Sequence, residues 1–505
     1  MVQLITIYSG PDFEDVGINR ISAFLDNNQI DNIVVHIEQD LDVVEKYCKL
    51  AHGEYFGISV YGSNVIEAAE LGRYIKHRNP NALIFWGSQY VSLAYEELLK
   101  KYEDTVDIMV LGDGEYPILN ILERGKKSIY ELTKSNPYLA SKDDYKNKRP
   151  CLMDIQDLPW PKHDVKIMKK HLYTTIKTST GCAGNCAFCG FLRRKWTGYT
   201  GSQVYNELVR IRKKYDIRAF MLADNSFEDP GVAGKKRIND LLDCIESGDE
   251  KFSFFANIRA ESFKESDSDI LLLERMKKCG FSQLFVGVES GNDDDLRLYN
   301  KRATVQDNHK ILDLLRRVNI EAKWGFIMLN PYSTQDKLRQ NYDFLTGNYS
   351  YDPFHYMSFL MIYINSQLYT KTREDNLLLD SFDRMEANYL FLDPFAQEVY
   401  EFFVKKYNQT ELQYRFKQFK DSLLLYYHLS QITNVEYRIE VNTIKSQLAE
   451  LNKQFFGLIY KANDFALAEK AFPDYTRAMI DICSNFAPIK AKILREYVSF
   501  CKQGG

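Results

Sequence analysis

Residues 181–191 read GCAGNCAFCGF, with Cys182, Cys186 and Cys189 in the order C-x3-C-x2-C and glycines at 181, 184 and 190. The chain has nine cysteines, so three of them within eight positions is a concentration that asks for a reason. Glycine-containing loops let closely spaced thiolates converge on one centre. A structural zinc site is usually closed by four protein ligands, and a four-cysteine iron–sulfur cube is closed as well. Neither flank, HLYTTIKTSTG before or GFLRRKWTG after, offers a fourth cysteine or a nearby histidine, and His171 lies beyond a full strand. Three ligands leave a coordination position open, which is the property of a catalytic centre. Three incidental structural thiols are the bland alternative.

The loop follows an apolar stretch, YTTIKTS (173–179), the first of six strand candidates between 173 and 364. The others are IRAFMLA (217–223), FSFFAN (252–257), SQLFVGV (282–288), EAKWGFIML (321–329) and HYMSFLMIYI (355–364). Helical patterns separate them, such as SQVYNELVRIRKKY with Ser202 as its expected N-cap. Six β-then-α units predict a curved, barrel-like parallel sheet with chemistry at the C-terminal strand ends. Upstream, residues 1–130 alternate QLITIYS, NIVVHIE, YFGISVY, ALIFWG and DIMVLG with amphipathic stretches, the pattern of a parallel sheet covered on both faces. Ligands of such sheets bind beyond the carboxyl edge, although glycines there also serve plain tight turns. A polar, proline-punctuated linker is expected at 131–172 (SKDDYKNKRP, LPWPKHD). Residues 366–505 read as a helical domain whose aromatics recur at helical spacing and are most simply core. The fold class is therefore α/β: a Rossmann-like sheet, a partial (β/α)6 barrel over 173–365, and a mostly α-helical C-terminal domain.

Composition excludes other classes. The 505-residue chain is 45% hydrophobic and 27% charged with a net charge of −4, so no global field recruits nucleic acid or an anionic membrane. No apolar stretch is long enough to span a bilayer, and the N-terminus has no signal-peptide pattern. A reducing, cytoplasmic setting is the expectation, where clustered cysteines bind metal more often than they pair.

The cysteine segment resembles the signature of the radical S-adenosylmethionine (SAM) superfamily, C-x3-C-x-φ-C, with Phe188 as the aromatic before the last cysteine. The resemblance implies that Cys182, Cys186 and Cys189 bind three irons of a [4Fe–4S] cluster whose fourth iron is chelated by SAM. It implies reductive SAM cleavage to a 5′-deoxyadenosyl radical that takes a hydrogen atom from substrate, fed by a flavodoxin- or ferredoxin-type electron donor. Later segments match in order. ADNSFEDP implies that Asp224 and Asn225 lie near the methionine end of SAM. ANIRAES puts Asn257 and Arg259 at the active face, Arg259 against the SAM carboxylate. GVESGN makes Glu289 a candidate for the ribose or amino group. GFIMLNPYSTQD supplies Asn330, although the glutamate usual in that segment is absent. For each polar residue taken singly, a turn or N-cap role competes.

The order of sheet, linker and barrel resembles the subclass with an N-terminal cobalamin-binding domain. Its segments here imply corrin contacts at Ser59, Tyr61, Gly87, Ser88, Gly112, Gly114 and Glu115. Two departures stand out. The first βα turn, YSGPDFEDVG, lacks the histidine of the axial-ligand motif. The usual Gly-Gly-x-His-x-Ser reads Gly87, Ser88, Gln89, Tyr90, Val91, Ser92, whose Ser and Tyr side chains could obstruct the cofactor's tail. A domain kept for architecture or docking is the alternative to cobalamin binding.

The leading expectation is a radical SAM enzyme that functionalises an unactivated carbon of a peptide or another biosynthetic precursor, by methylation if cobalamin is bound. Epimerisation, cross-linking or ring rearrangement is the alternative without it, and Cys279 is the nearest thiol hydrogen donor in sequence. A tRNA methylthiotransferase would carry further cluster cysteines in the N-terminal region, where only Cys48 occurs. A non-catalytic iron–sulfur or zinc protein would need a fourth ligand. The catalytic residues beyond the cysteines are not legible.

Overall fold

The computed structural model describes residues 1–8, 15–125, 129–379, 388–407 and 410–502. In the first region, strands β1 (Val2–Tyr8), β2 (Asn32–Glu38), β3 (Tyr55–Ser59), β4 (Leu83–Ser88), β5 (Ile108–Leu111) and β6 (Leu139–Ala140) form one sheet in the order 2-1-3-4-5-6. The pairings are parallel except for the antiparallel edge strand β6. Their near-continuous apolar character follows from burial on both faces, with separate side-chain clusters above and below. Strand order reverses between β1 and β3, the crevice where open α/β sheets bind ligands. The expected linker is partly built into this domain: β6 completes the sheet, and Cys151 bridges to Gly112.

The second region is a five-stranded parallel sheet of β7 (Tyr173–Ile176), β10 (Ala219–Leu222), β11 (Ser253–Arg259), β12 (Phe281–Glu289) and β13 (Glu321–Phe326), in sequence order from one edge to the other. Between β7 and β10, short strands β8 (Ser179–Thr180) and β9 (Thr197–Gly198) pair antiparallel and pinch the base of the cysteine loop. The sixth expected strand is a correction. Pro353–Tyr356 form a 3-10 turn, and the following chain pairs with the sheet only through a Leu329–Phe359 bridge. Pro353 supplies no N–H and the Asp352 carboxylate caps the turn, so local chemistry overrides the apolar run. The N-cap expectation also shifts. Thr200, not Ser202, caps helix Gly201–Tyr215, in a reciprocal pair with Gln203.

The C-terminal helices share one continuous core with the barrel. Helix Thr410–Thr433 lies against β11 and β12. From it, His428 Nδ1 meets Ser253 Oγ at 2.9 Å and the Leu424 carbonyl accepts from Gln283, closing the N-terminal end of the sheet. Among the described residues no helix is long and apolar enough to cross a membrane.

Candidate functional site

The cysteine loop leaves β8 through Gly181, whose φ of +88° and backbone neighbours within 3.0 Å of a notional Cβ admit no side chain. Main-chain bonds then stitch the loop to distant elements. Ala187 donates to the Tyr299 carbonyl (2.8 Å), Leu368 donates to the Ala187 carbonyl (3.0 Å), and Asn300 Nδ2 donates to the Asn185 carbonyl (2.8 Å). Gly190 lies against the Tyr363 ring. Phe188 packs edge-on to Tyr299 at 5.5 Å. All three thiols are free, and burial pushes each up, Cys182 to about 12.

An ionic hub holds the other side of the loop. Asp229 Oδ2 accepts the Ala183 N–H at 2.7 Å, and its Oδ1 accepts from Arg259 Nη2 at 2.6 Å. Glu228 Oε1 takes the Arg259 Nε and backbone N–H, each at 3.2 Å, and the Ser226 hydroxyl at 2.8 Å. Glu261 lies 3.7 Å from Arg259 Nη1. Glu228 and Asp229 are fully buried, yet among the described residues Oε2 of Glu228 and of Glu261 have no hydrogen-bond partner. Sequence reasoning passed over both residues of the Glu228–Asp229 pair in ADNSFEDP. Their position just beyond a strand end, beside an arginine on the next strand, was the available signal.

The other expected site residues fall into two groups. Asp224 is fully buried and committed: it accepts the Thr178 and Ser179 N–H groups (2.6 and 2.9 Å) and lies 3.8 Å from Arg237. Asn330 is also fully buried, donating to the Tyr299 hydroxyl and accepting the Tyr332 N–H. These two brace the strand-end loops and have little left to offer a ligand. Asn257 ties the β11 end to the Asp224 carbonyl (2.9 Å), and Asn225 sits half-buried between them.

Glu289 ends β12 at φ +66°, a left-handed conformation that a non-glycine residue adopts only under constraint. Burial raises its carboxyl, opposed by Lys301, whose Nζ lies 3.9 Å away. Both charges act on the Cys186 thiol. Arg259, Glu289 and the cysteines thus share the C-terminal face of the sheet. Cys279 does not. It caps helix Asp267–Lys278 ahead of β12, at the opposite end, with its thiol pushed up to about 12 by burial, so the hydrogen-donor expectation fails on geometry.

A cavity of about 610 Å³ separates the two sheets. Its lining includes all seven residues expected to face a corrin: Ser59, Tyr61, Gly87, Ser88, Gly112, Gly114 and Glu115. Lys177 and Ala223, just past the ends of β7 and β10, and Lys417 complete the lining. Tyr90 is turned into the core below the sheet, whereas Ser88, whose hydroxyl caps the following helix, and Gln89 line the cavity. The histidine-free turn at 8–17 lies largely outside the described residues. The two domains are pinned by an ion pair: Arg194, just after the cysteine loop, holds Asp113 at 2.8 Å. Within the first domain Arg20 holds Glu115 at 2.6 Å at the rim of the cavity.

Comparison with known families finds two matches. Residues 176–345 match the radical SAM superfamily and residues 2–122 match the B12 binding domain. The chain joins a B12-binding domain to a radical SAM domain. The curated relatives include 4′-phospho-dehydrooxetanocin synthase of Priestia megaterium, 26% identical over 54% of this chain and 39% of the relative. They also include the anaerobic magnesium-protoporphyrin IX monomethyl ester cyclase of Cereibacter sphaeroides, 24% identical over 52% of this chain and 44% of the relative. The chain therefore spans less than half the length of these two relatives. The solved structure of the cobalamin-dependent SAM radical enzyme OxsB, with aqua-cobalamin and SAM bound, superposes with a TM-score of 0.69 over 100% of this chain and 81% of that one, at 18% identity. That likeness carries the fold: sheet, radical SAM domain and helical C-terminus.

The radical SAM domain implies a [4Fe–4S] cluster and SAM, and the residues present fit both. A Cβ at Gly184 would stand 3.2 Å from Cys182 Sγ, 3.9 Å from Cys186 Sγ and 3.7 Å from the Arg259 side chain, so its absence keeps a cradle open between them. Among the described residues no three acidic, histidine or cysteine side chains converge on a single ion. Ligands of three different irons stand further apart than ligands of one ion. The unpaired oxygens of Glu228 and Glu261 remain as acceptors for a cationic group.

Proposed function

We propose that the chain is a cobalamin-dependent radical SAM enzyme that functionalises an unactivated carbon of a small-molecule or peptide precursor, with C-methylation the favoured outcome. The observation that carries this reading is the single cavity whose lining takes Ser59, Gly87 and Gly112 from one domain and Lys177 and Ala223 from the other. When bound, the cluster and SAM supply reductive cleavage for hydrogen-atom abstraction, and a corrin supplies methyl transfer. Cys182, Cys186 and Cys189 would hold the cluster, and Asp229 positions their loop through the Ala183 N–H. Arg259, balanced by three carboxylates, sets the field beside the Cys182 thiol. Arg194 ties the end of the cysteine loop to Asp113, fixing the distance between the two cofactor sites.

The test is anaerobic reconstitution with iron and sulfide, followed by SAM, reductant and an assay for 5′-deoxyadenosine. The proposal expects turnover that disappears in the Cys182, Cys186, Cys189 triple alanine variant. A cluster-loaded protein that never cleaves SAM contradicts it. Rearrangement or epimerisation by the same radical chemistry is the second reading, favoured by a protein that retains no corrin.

A further inference from the structure

We propose that the inter-domain cavity receives a small substrate bearing an oxyanion, a phosphate monoester or carboxylate, and that the Lys177 ammonium is the group that takes it. The inference rests on the reading of this cavity as the place where substrate meets both cofactors.

Lys177 follows the last residue of β7, the strand that leads to the cysteine loop, and its side chain lines the cavity. Among the described residues it has no hydrogen bond and no ion pair. Its cationic neighbours are all supplied with acids. Arg20 is held by Glu115 and Asp113, Arg194 by Asp113, and Arg237 lies against Asp224. Among the described residues Lys177 makes no ion pair, and the nearby Asp224 and Asp113 are already engaged by Arg237, Arg20 and Arg194. Lys177 is half-buried and lines the cavity, so an anion entering there can reach its amine. Burial lowers its amine to about 8 and Arg20 adds to the effect, while Asp224 and Asp113 oppose it in part.

The position separates substrate from cofactor. Lys177 belongs to the barrel wall, beside Ala223, and faces the glycine-lined edge of the first sheet across the cavity. A molecule that must lie between the two cofactor sites is therefore the one within its reach. An oxyanion there gains a charge-assisted hydrogen bond, and an uncharged analogue gains nothing comparable.

The test measures binding of phenyl phosphate to the full-length protein by line broadening of the ligand's aromatic proton NMR signals, with benzyl alcohol as uncharged comparator. Wild type should bind the first and not the second. Lys177→Met should weaken binding about tenfold or more, and Lys177→Arg should retain most of it. Should Lys177→Met fail to fold, Lys177→Gln takes its place. Equal binding by wild type and Lys177→Met, or none by wild type, overturns the proposal. Binding abolished by prior loading with hydroxocobalamin also overturns it, by assigning the amine to the cofactor's own phosphodiester. A failure of the cobalamin reading shows separately, as absent corrin absorbance with phenyl phosphate binding intact.

Discussion

Asp229 is bonded on one carboxylate oxygen to the Ala183 N–H inside the cysteine loop and on the other to Arg259 at the end of β11. One fully buried side chain thereby couples the loop to the barrel. Asp229→Asn must turn a donor towards one of these two donors, leaving it unpaired. The expected cost is about 1–3 kcal/mol of stability, with cluster affinity reduced about tenfold or more. Thermal unfolding and iron per chain after reconstitution measure the two effects.

The glycines of the loop differ in role. Gly181→Ala places a Cβ on a residue with φ +88° and within 3.0 Å of backbone, and it should destabilise the apo protein by more than about 1–2 kcal/mol. Gly184→Ala should leave apo stability within about 1 kcal/mol and yet reduce cluster loading, because its Cβ enters the space between two thiols. Denaturant unfolding of the apo proteins, set beside their reconstituted iron content, separates the cases.

His428 gives a pH signature. It is fully buried, and burial, with Lys323 adding to it, lowers its ring to about 3. Below about pH 6.5 the unfolded chain binds a proton that the native ring refuses. Stability is therefore whole above that pH and falls progressively as pH drops towards 3. His428→Gln should flatten this limb between pH 6.5 and 5 in denaturant titrations, and an unchanged slope would assign it to other groups.

Much of this architecture was legible because its signals are local. The strands of both sheets are continuous apolar runs, and the cysteine spacing is short-range, so both could be read without tertiary information. The sixth strand could not, because Asp352 and Pro353 set a turn that the apolar pattern of 355–364 hides. Asp224 and Asn330 matched motif positions, but only the fold shows their polar atoms consumed by neighbouring backbone. Glu228, Asp229 and Lys177 were missed for the opposite reason. Each looks like an ordinary loop or strand-end charge until its surroundings, set for Asp229 by Ala183 46 positions away, are known.

The central claim is that the cavity between the sheets is a corrin site. The direct measurement is corrin retained per chain, read from the visible spectrum after loading with hydroxocobalamin and desalting, for wild type and Gly87→Leu. Gly87 lines the cavity, and among the described residues only Val110 lies within 4 Å of its notional Cβ, so a leucine can fold there while its side chain fills the space. The account predicts about one corrin per wild-type chain and a large loss in the variant, with unchanged unfolding. No retained corrin in wild type, or equal retention in Gly87→Leu, would contradict it.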